Sequence, residues 1–599
     1  MNIKCDPCSA SPAKSGRPRR ALRAFGFSAA GLLFAACGIS LVGTDAAFAN
    51  SGTITANGSS VTATISSPGV AATFTFSGTS GEEITASAYG GTFASGCDVD
   101  LLVLAQSGTT VASTACVSPT GFIGETTLPG AGTYTLELEP TDSDTGSETL
   151  SLTADAANAP ITANGAAVTF TASHTGQGQD YTFVGKAGKV VTVSMSSGTF
   201  PSGCDLGAYL LDPAGNVLAS GGCASQSDFI GETTLDAKGT YTIELVPEGY
   251  NIGSNTGSVG VALTENSKSG TITANGAAVT FTASHTGQGQ NYTFSGTAGE
   301  VVTVSTYSGT FPSGCDLGLD LVSSSGEQLG GTGCASQSGF IGETTLPGTG
   351  TYTVELVPQG YNIGSNTGSL SLEVTKDAAA TSITPNGTVA TFKATHTGQG
   401  QNYTFTVKSS EVVTISTYDG TFPGGCDLNL YLVSSAGEQL GSIGCAAQSG
   451  FIGETTLPGK GTYEVELQAA ASNEGSSTGS LKVAVTEDSA PSAITLNGPA
   501  VTFTAGHTAQ GQDYTFAGTA DQTVTVSTSD STFPNGCDMD LYLISPSGST
   551  VASVGCAVGS GGASTSGQVL PGTGTYTIEL VPTSANTGSN EGSVEVALT

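Results

Sequence analysis

The stretch Gly239-Thr-Tyr-Thr-Ile-Glu-Leu-Val246 places apolar side chains at Tyr241, Ile243 and Leu245, every second position. That period belongs to a strand with one buried face, not to a helix. Around it, Val168-Thr-Phe-Thr-Ala, Tyr181-Thr-Phe, Val190-Val-Thr-Val-Ser and Val259-Gly-Val-Ala-Leu alternate in the same way. Gly, Asn and Pro interrupt these runs about every 8–12 residues, the rhythm of a β-sandwich with turns between short strands. No window shows a helical stripe. The expected unit is a sandwich of about eight or nine strands.

The unit recurs. GTY followed by alternating apolar residues stands at Tyr134, Tyr241, Tyr352, Tyr463 and Tyr576. FIGETTL starts at Phe122, Phe229, Phe340 and Phe451. GTITANG starts at Gly52 and Gly270, with variants from Ile161, Ile383 and Ile494. A period of about 110 residues suits an independent domain and is too long for a solenoid repeat. The fold expected is all-β: five tandem jelly-roll-like β-sandwich domains, each with one intradomain disulfide. Their boundaries are read as 50–157, 158–268, 269–380, 381–490 and 491–599. Polar joints such as Thr264–Ser269 and Lys376–Ser382 are short, so a semi-rigid string is expected.

Residues 1–49 read as a signal peptide. A basic stretch from Lys14 to Arg23 precedes an uncharged run from Ala24 to Thr44, and Ala47-Phe48-Ala49 supplies a small-residue cleavage site. Phe34-Ala-Ala-Cys37 is a weak lipobox and Arg19-Arg20 a weak twin-arginine motif. Beyond residue 49 no run is long enough to span a membrane, so no transmembrane segment is expected after signal cleavage. Of 15 basic and 48 acidic residues, six and two lie in this leader, which leaves nine Lys, no Arg and 46 acidic residues beyond it. Such a surface cannot neutralise phosphates, and a nucleic-acid partner is excluded.

Ten of the 13 cysteines form pairs 19 residues apart. The pairs are Cys97 with Cys116, Cys204 with Cys223, Cys315 with Cys334, Cys426 with Cys445, and Cys537 with Cys556. The midpoint between Cys204 and Cys223 falls in the turn Asp212-Pro-Ala-Gly215, and that between Cys537 and Cys556 in Pro546-Ser-Gly548. A hairpin folding there sets the two cysteines opposite each other, within disulfide range. The loop closed is worth about 3 kcal/mol in the chain-entropy account. A zinc site would need four N or S ligands, and each unit has two Cys and at most one His. Disulfides place the chain in an oxidising compartment, secreted or at the cell surface.

With strands, turns and cysteines assembled, the unit resembles the bacterial pre-peptidase C-terminal domain, and is similar to the sandwich modules of surface and YD-repeat proteins. The resemblance in the second copy rests on five runs. They are Tyr181-Thr-Phe, Ala187-Gly-Lys-Val-Val-Thr-Val-Ser, Cys204-Asp-Leu with Tyr209-Leu-Leu-Asp-Pro-Ala-Gly-Asn, Lys238-Gly-Thr-Tyr-Thr-Ile, and Gly257-Ser-Val-Gly-Val-Ala-Leu. It implies a jelly-roll-like sandwich of the kind appended to exported enzymes, some members of which bind calcium or matrix. No enzyme domain is expected among residues 50–599.

Two carboxylates recur. Asp98, Asp205, Asp316, Asp427 and Asp538 follow the first cysteine, and Glu125, Glu232, Glu343 and Glu454 belong to FIGET, which the fifth copy lacks. Three readings stand: loop caps, calcium ligands, or an acid–base pair. No cofactor other than calcium is suggested. Tyr250 and Tyr361, in G-Y-N-I-G-S-N-T-G loops, are candidate ligand anchors. His174, His285, His396 and His507 each sit in a turn-like H-T-[GA]-Q-G-Q, without a nucleophile or orienting carboxylate to form a triad. Gly475–Gly479 around Ser477 matches G-x-S-x-G, but in a Gly/Ser loop with no strand-to-helix turn. The function expected is therefore non-catalytic: adhesion or binding to an extracellular polymer or matrix protein. A passive stalk and a hydrolase with a degenerate site are its rivals.

Overall fold

The computed structural model describes residues 50–599 except 95–96, 142, 202–203, 250–255, 361–365, 425, 471–477, 535–536, 560 and 585–590. The leader, Ser477, Tyr250 and Tyr361 lie outside the described residues. Among the described residues there is no α-helix, and so no helix long and apolar enough to cross a membrane.

The first repeat has nine strands. They are β1 (Ser51–Thr53), β2 (Val61–Ile65), β3 (Ala72–Gly78), β4 (Glu83–Tyr89), β5 (Val99–Ala105), β6 (Thr110–Thr114), β7 (Thr120–Thr127), β8 (Gly132–Pro140) and β9 (Gly146–Ala154). They form a five-stranded sheet, β1-β3-β8-β5-β6, and a four-stranded sheet, β2-β9-β4-β7. The next three repeats reproduce both sheets in the same order. In the fifth, the second sheet shrinks to three strands (Val501–Ala505, Gly592–Leu598, Val526–Ser529), with Thr523–Val524 pairing Gln568–Val569 beside it.

The alternation read from sequence is the core pattern. Phe74 and Phe76 of β3, Leu101 and Val103 of β5, and Leu136 and Leu138 of β8 meet Ile84, Ala86, Leu150 and Leu152 of the other sheet in one cluster. Each of the remaining repeats has its own such cluster. Fully burying one Leu, Ile or Phe contributes roughly 1.5–3 kcal/mol. The GTY tyrosine belongs to this core: Tyr241 is buried, stacks on Phe183 at 5.5 Å, and donates its hydroxyl hydrogen to Ala237 O at 2.8 Å. In the first repeat Gly78 faces the equivalent Tyr134, and a Cβ there would stand 2.2 Å from Leu128 Cδ1.

Of the joints read from sequence, Lys376–Ser382 is structured nearly throughout, whereas Thr264–Ser269 has no strand from Asn266 to Ser269. Ala156–Pro160, Ala378–Ser382 and Ser489–Ala493 each run parallel to the third strand of the repeat that follows, as its edge. Their backbone groups gain partners that a free linker would seek in water. The N-G turn just beyond ties back to the last strand of its own repeat. Asn57, Asn164, Asn275, Asn386 and Asn497 all adopt the left-handed region that Asn tolerates. Asn275 Nδ2 donates to Lys376 O at 3.0 Å while its Oδ1 accepts the Lys376 N–H at 2.8 Å.

Candidate functional site

All five cysteine pairs are bonded: Cys97 with Cys116, Cys204 with Cys223, Cys315 with Cys334, Cys426 with Cys445, and Cys537 with Cys556. Cys97 precedes β5 and Cys116 follows β6, so the bridge closes the open end of the β5–β6 hairpin, whose last pair is Leu101 with Thr114. The bridges do not belong to the hydrophobic core. The second cysteine of each pair, Cys116, Cys223, Cys334, Cys445 and Cys556, is exposed to solvent. Cys116, Cys445 and Cys556 also take the left-handed backbone conformation, with φ of 58°, 58° and 56°. They lie past the last paired residue of the hairpin, where the chain turns away from the sheet instead of extending it.

The aspartate after the first cysteine is buried there in every repeat. Asp316 Oδ2 accepts the Ser313 N–H at 2.9 Å, and Asp427 Oδ2 the Gly424 N–H at 3.0 Å. The Asp98 carbonyl accepts the Thr141 N–H at 2.9 Å, anchoring the loop that leads into β9.

The FIGET glutamate lies elsewhere. Glu125 sits on β7 in a register shift beside the Ile84–Thr126 pair, and Ile84 also pairs with Ala154 at the far end of β9. A nine-residue strand spans roughly 27 Å. The structure therefore does not bring Asp98 together with Glu125, nor their equivalents. It brings Glu125 to the joint with the second repeat.

Four joints share most of their parts, and the third shows them; the fourth has Ala509 where the others have glycine, and among the described residues Thr414 Oγ1 makes no hydrogen bond there. Thr303 Oγ1 donates to Gly398 O at 2.7 Å, and Thr375 Oγ1 to Thr397 O at 2.6 Å. Both acceptors belong to His396-Thr-Gly-Gln-Gly400 of the next repeat. Phe340 of FIGET lies 3.4 Å from the space a Gly398 Cβ would fill. Asp377, just past the last strand, accepts the Gly400 N–H at 2.9 Å. A Cβ on Gly400 would meet Glu343 Oε1 at 2.4 Å, the Leu467 carbonyl oxygen at 2.6 Å and Asp377 Oδ2 at 3.0 Å, and the backbone oxygen leaves room only for glycine. The histidine motif is thus a turn, with the Gln399 N–H on His396 O at 3.3 Å, and also the seat for the preceding repeat.

This arrangement explains two gaps in the repeats. FIGET is present in copies one to four and the histidine motif in copies two to five. Each joint needs FIGET from one copy and the histidine motif from the next. The sequence carried this offset, but the linker residues Asp155, Asn266, Asp377 and Asp488 had no motif to mark them.

The joints are acidic. Around Glu125 stand Asp155, Glu244, Glu83 and Asp180, and burial together with these charges raises its pKa far above the usual carboxylate range. Burial and Asp377 raise Glu343, while burial and Asp488, Asp513 and Glu579 raise Glu454. Their aspartate partners Asp155, Asp377 and Asp488 are raised too, by burial first. At the second joint the partner is an amide: Asn266 Nδ2 donates to Glu232 Oε1 at 2.5 Å, and Glu232 is pushed up only to about 6, mainly by burial. Carboxylate oxygens of Glu83, Glu125 and Glu244 lie within 4.8 Å of one another. That is ligand-like proximity, but it takes Glu125 without Asp98 and supplies three carboxylates where calcium takes roughly six to eight oxygens.

Residues 177–247, 399–469 and 510–582, within the second, fourth and fifth repeats, match the family model of the bacterial pre-peptidase C-terminal domain. No curated protein matches the sequence. Among solved structures, the tandem CBM51 modules of a family 98 glycoside hydrolase from Streptococcus pneumoniae align at 10% identity. That alignment covers 35% of this chain and 84% of the other, with a TM-score of 0.14. An M60 catalytic domain with two CBM51 domains from Clostridium perfringens aligns at 6% identity over 65% of this chain and 52% of that one, TM-score 0.13. The BSP domain of a biofilm-associated protein aligns at 10% identity over 68% and 94%, TM-score 0.11. Likeness this slight carries no argument about function.

Proposed function

We propose that the protein is a secreted or cell-surface, non-catalytic scaffold for adhesion to an extracellular polymer or matrix. In this reading the repeats are five jelly-roll-like β-sandwich domains, bounded at 50–157, 158–268, 269–380, 381–490 and 491–599, behind a cleaved signal peptide at 1–49. The observation that carries it is the joint, made four times from closely similar parts. Such joints fix the spacing of equivalent surfaces, and a ligand that repeats along its length then gains avidity from weak contacts. The five disulfides support an oxidising compartment. The recurrent carboxylates act as structure, Asp98 and its equivalents in loops and the FIGET glutamates in joints.

The test is retention of the full chain on insoluble polysaccharides and on collagen. Retention on one of them, competed by long fragments of that polymer and not by short ones, is expected. No retention on any would favour a passive stalk, a reading supported by the scarcity of tryptic sites beyond residue 49, nine Lys and no Arg.

A further inference from the structure

The four joints seat the linker residue in the same way and differ there in one group. At the second, Asn266 uses Oδ1 to accept the Gly289 N–H at 2.9 Å and Nδ2 to donate to Glu232. At the first, third and fourth an aspartate stands in its place. Asp155, Asp377 and Asp488 accept the N–H of Gly178, Gly400 and Gly511, each at 2.9 Å. With one oxygen committed to the glycine in the same way, the other takes the place of the Asn266 amide group. It therefore faces the FIGET glutamate with an acceptor where the second joint has a donor. Glu343 and Asp377 converge on Gly400, and Glu454 and Asp488 on Gly511, in this manner. Two carboxylates in that position repel unless a proton lies between them.

We propose that the first, third and fourth joints are closed by a proton shared between the FIGET glutamate and the linker aspartate, so that they loosen as pH rises, whereas the second is closed by an amide and does not. The other titratable groups facing these pairs are acidic and strengthen the demand for a proton, against which the Ala469 N–H donates to Glu343. Glu83, Asp180 and Glu244 face Glu125, and Glu466 faces Glu343. Asp513 and Glu579 face Glu454, and Glu487 lies beside Asp488. Lys376, adjacent to Asp377, is engaged with Glu300 instead. Glu355 and Asp320 face Glu232, where the amide already supplies the hydrogen. All six paired carboxyls have raised folded-state pKa values. Their contribution is fully present below the ordinary carboxylate pKa of about 4 and is lost as pH rises through the raised values.

The internal difference between joints gives the test. Asp155→Asn, Asp377→Asn and Asp488→Asn, combined in the full chain, replace the shared proton by an amide. With chelator present, the melting midpoint of this variant should match that of the parent near pH 4 and exceed it by about 4 °C or more near pH 9. Asn266→Asp should do the reverse, melting with the parent near pH 4 and below it near pH 9. Parallel pH profiles for the three chains would overturn the proposal. So would a divergence near pH 9 that millimolar calcium removes, since a cation and not a proton would then close the joints.

Discussion

At one end of the third repeat, Cys315 and Cys334 close the hairpin of Leu317–Val322 and Gln328–Thr332 covalently. At the other end, Thr303, Phe340 and Glu343 hold the fourth repeat by packing and hydrogen bonds alone. The first device is internal, joins residues 19 apart, and occurs in all five copies. The second is shared between copies, so its two halves sit in different repeats and it occurs four times. One sequence unit thus carries a self-contained end and an end that is incomplete without a neighbour.

The largest expected effect falls on the covalent end. Cys315→Ser with Cys334→Ser should cost about 3 kcal/mol. Hydrogen exchange in the full chain should show lost protection in the third repeat, with the fourth unchanged. Spread of the loss through Gly398 would mean that the two ends are energetically coupled.

A gain is expected where the first repeat departs from the others. Glu148 is fully buried on β9, where the equivalent strands have Val259, Leu370, Leu481 and Val594, and it pairs with Ala63 where they pair with Phe. Neither Glu148 oxygen makes a well-formed hydrogen bond, and neither does the nearby Ser118 hydroxyl. Burial raises its pKa, so its cost is absent below the ordinary carboxylate value and grows as pH rises. Ala63→Phe with Glu148→Val should stabilise the first repeat by about 2 kcal/mol at neutral pH. The gain should shrink toward pH 4. Urea unfolding followed by exchange in that repeat measures it, and a gain independent of pH would assign it to packing alone.

The smallest effect belongs to the shared end. Thr303→Val removes the hydrogen bond to Gly398 O while keeping the β-branched shape, at about 1 kcal/mol. Exchange should rise at the His396–Gly400 turn and leave the Cys315–Cys334 hairpin protected. Faster exchange at both ends would erase the distinction drawn between them.

Most of the fold was legible. Period-two alternation in Val190-Val-Thr-Val-Ser and Tyr241-Thr-Ile-Glu-Leu marked strands because burial selects every second side chain. The 19-residue spacing of Cys204 and Cys223 around a turn marked the hairpin because both depend on residues close in the chain. The joint was less legible. Thr192 read as an outward polar position, yet it and its equivalent Thr303 are buried, because the next repeat covers that face. Asp98 and Glu125 read as a pair because they recur together, although a full strand length separates them.

The sequence alone determined what short-range chemistry decides: an all-β chain, its repeat period, the turn residues and the cysteine partners. Only the tertiary structure decided which polar residues meet. Glu343 finds Asp377 and Gly400, 34 and 57 positions on, because β-sheet packing carries FIGET to the next repeat's turn. No local spacing encodes a contact made between one copy and its neighbour.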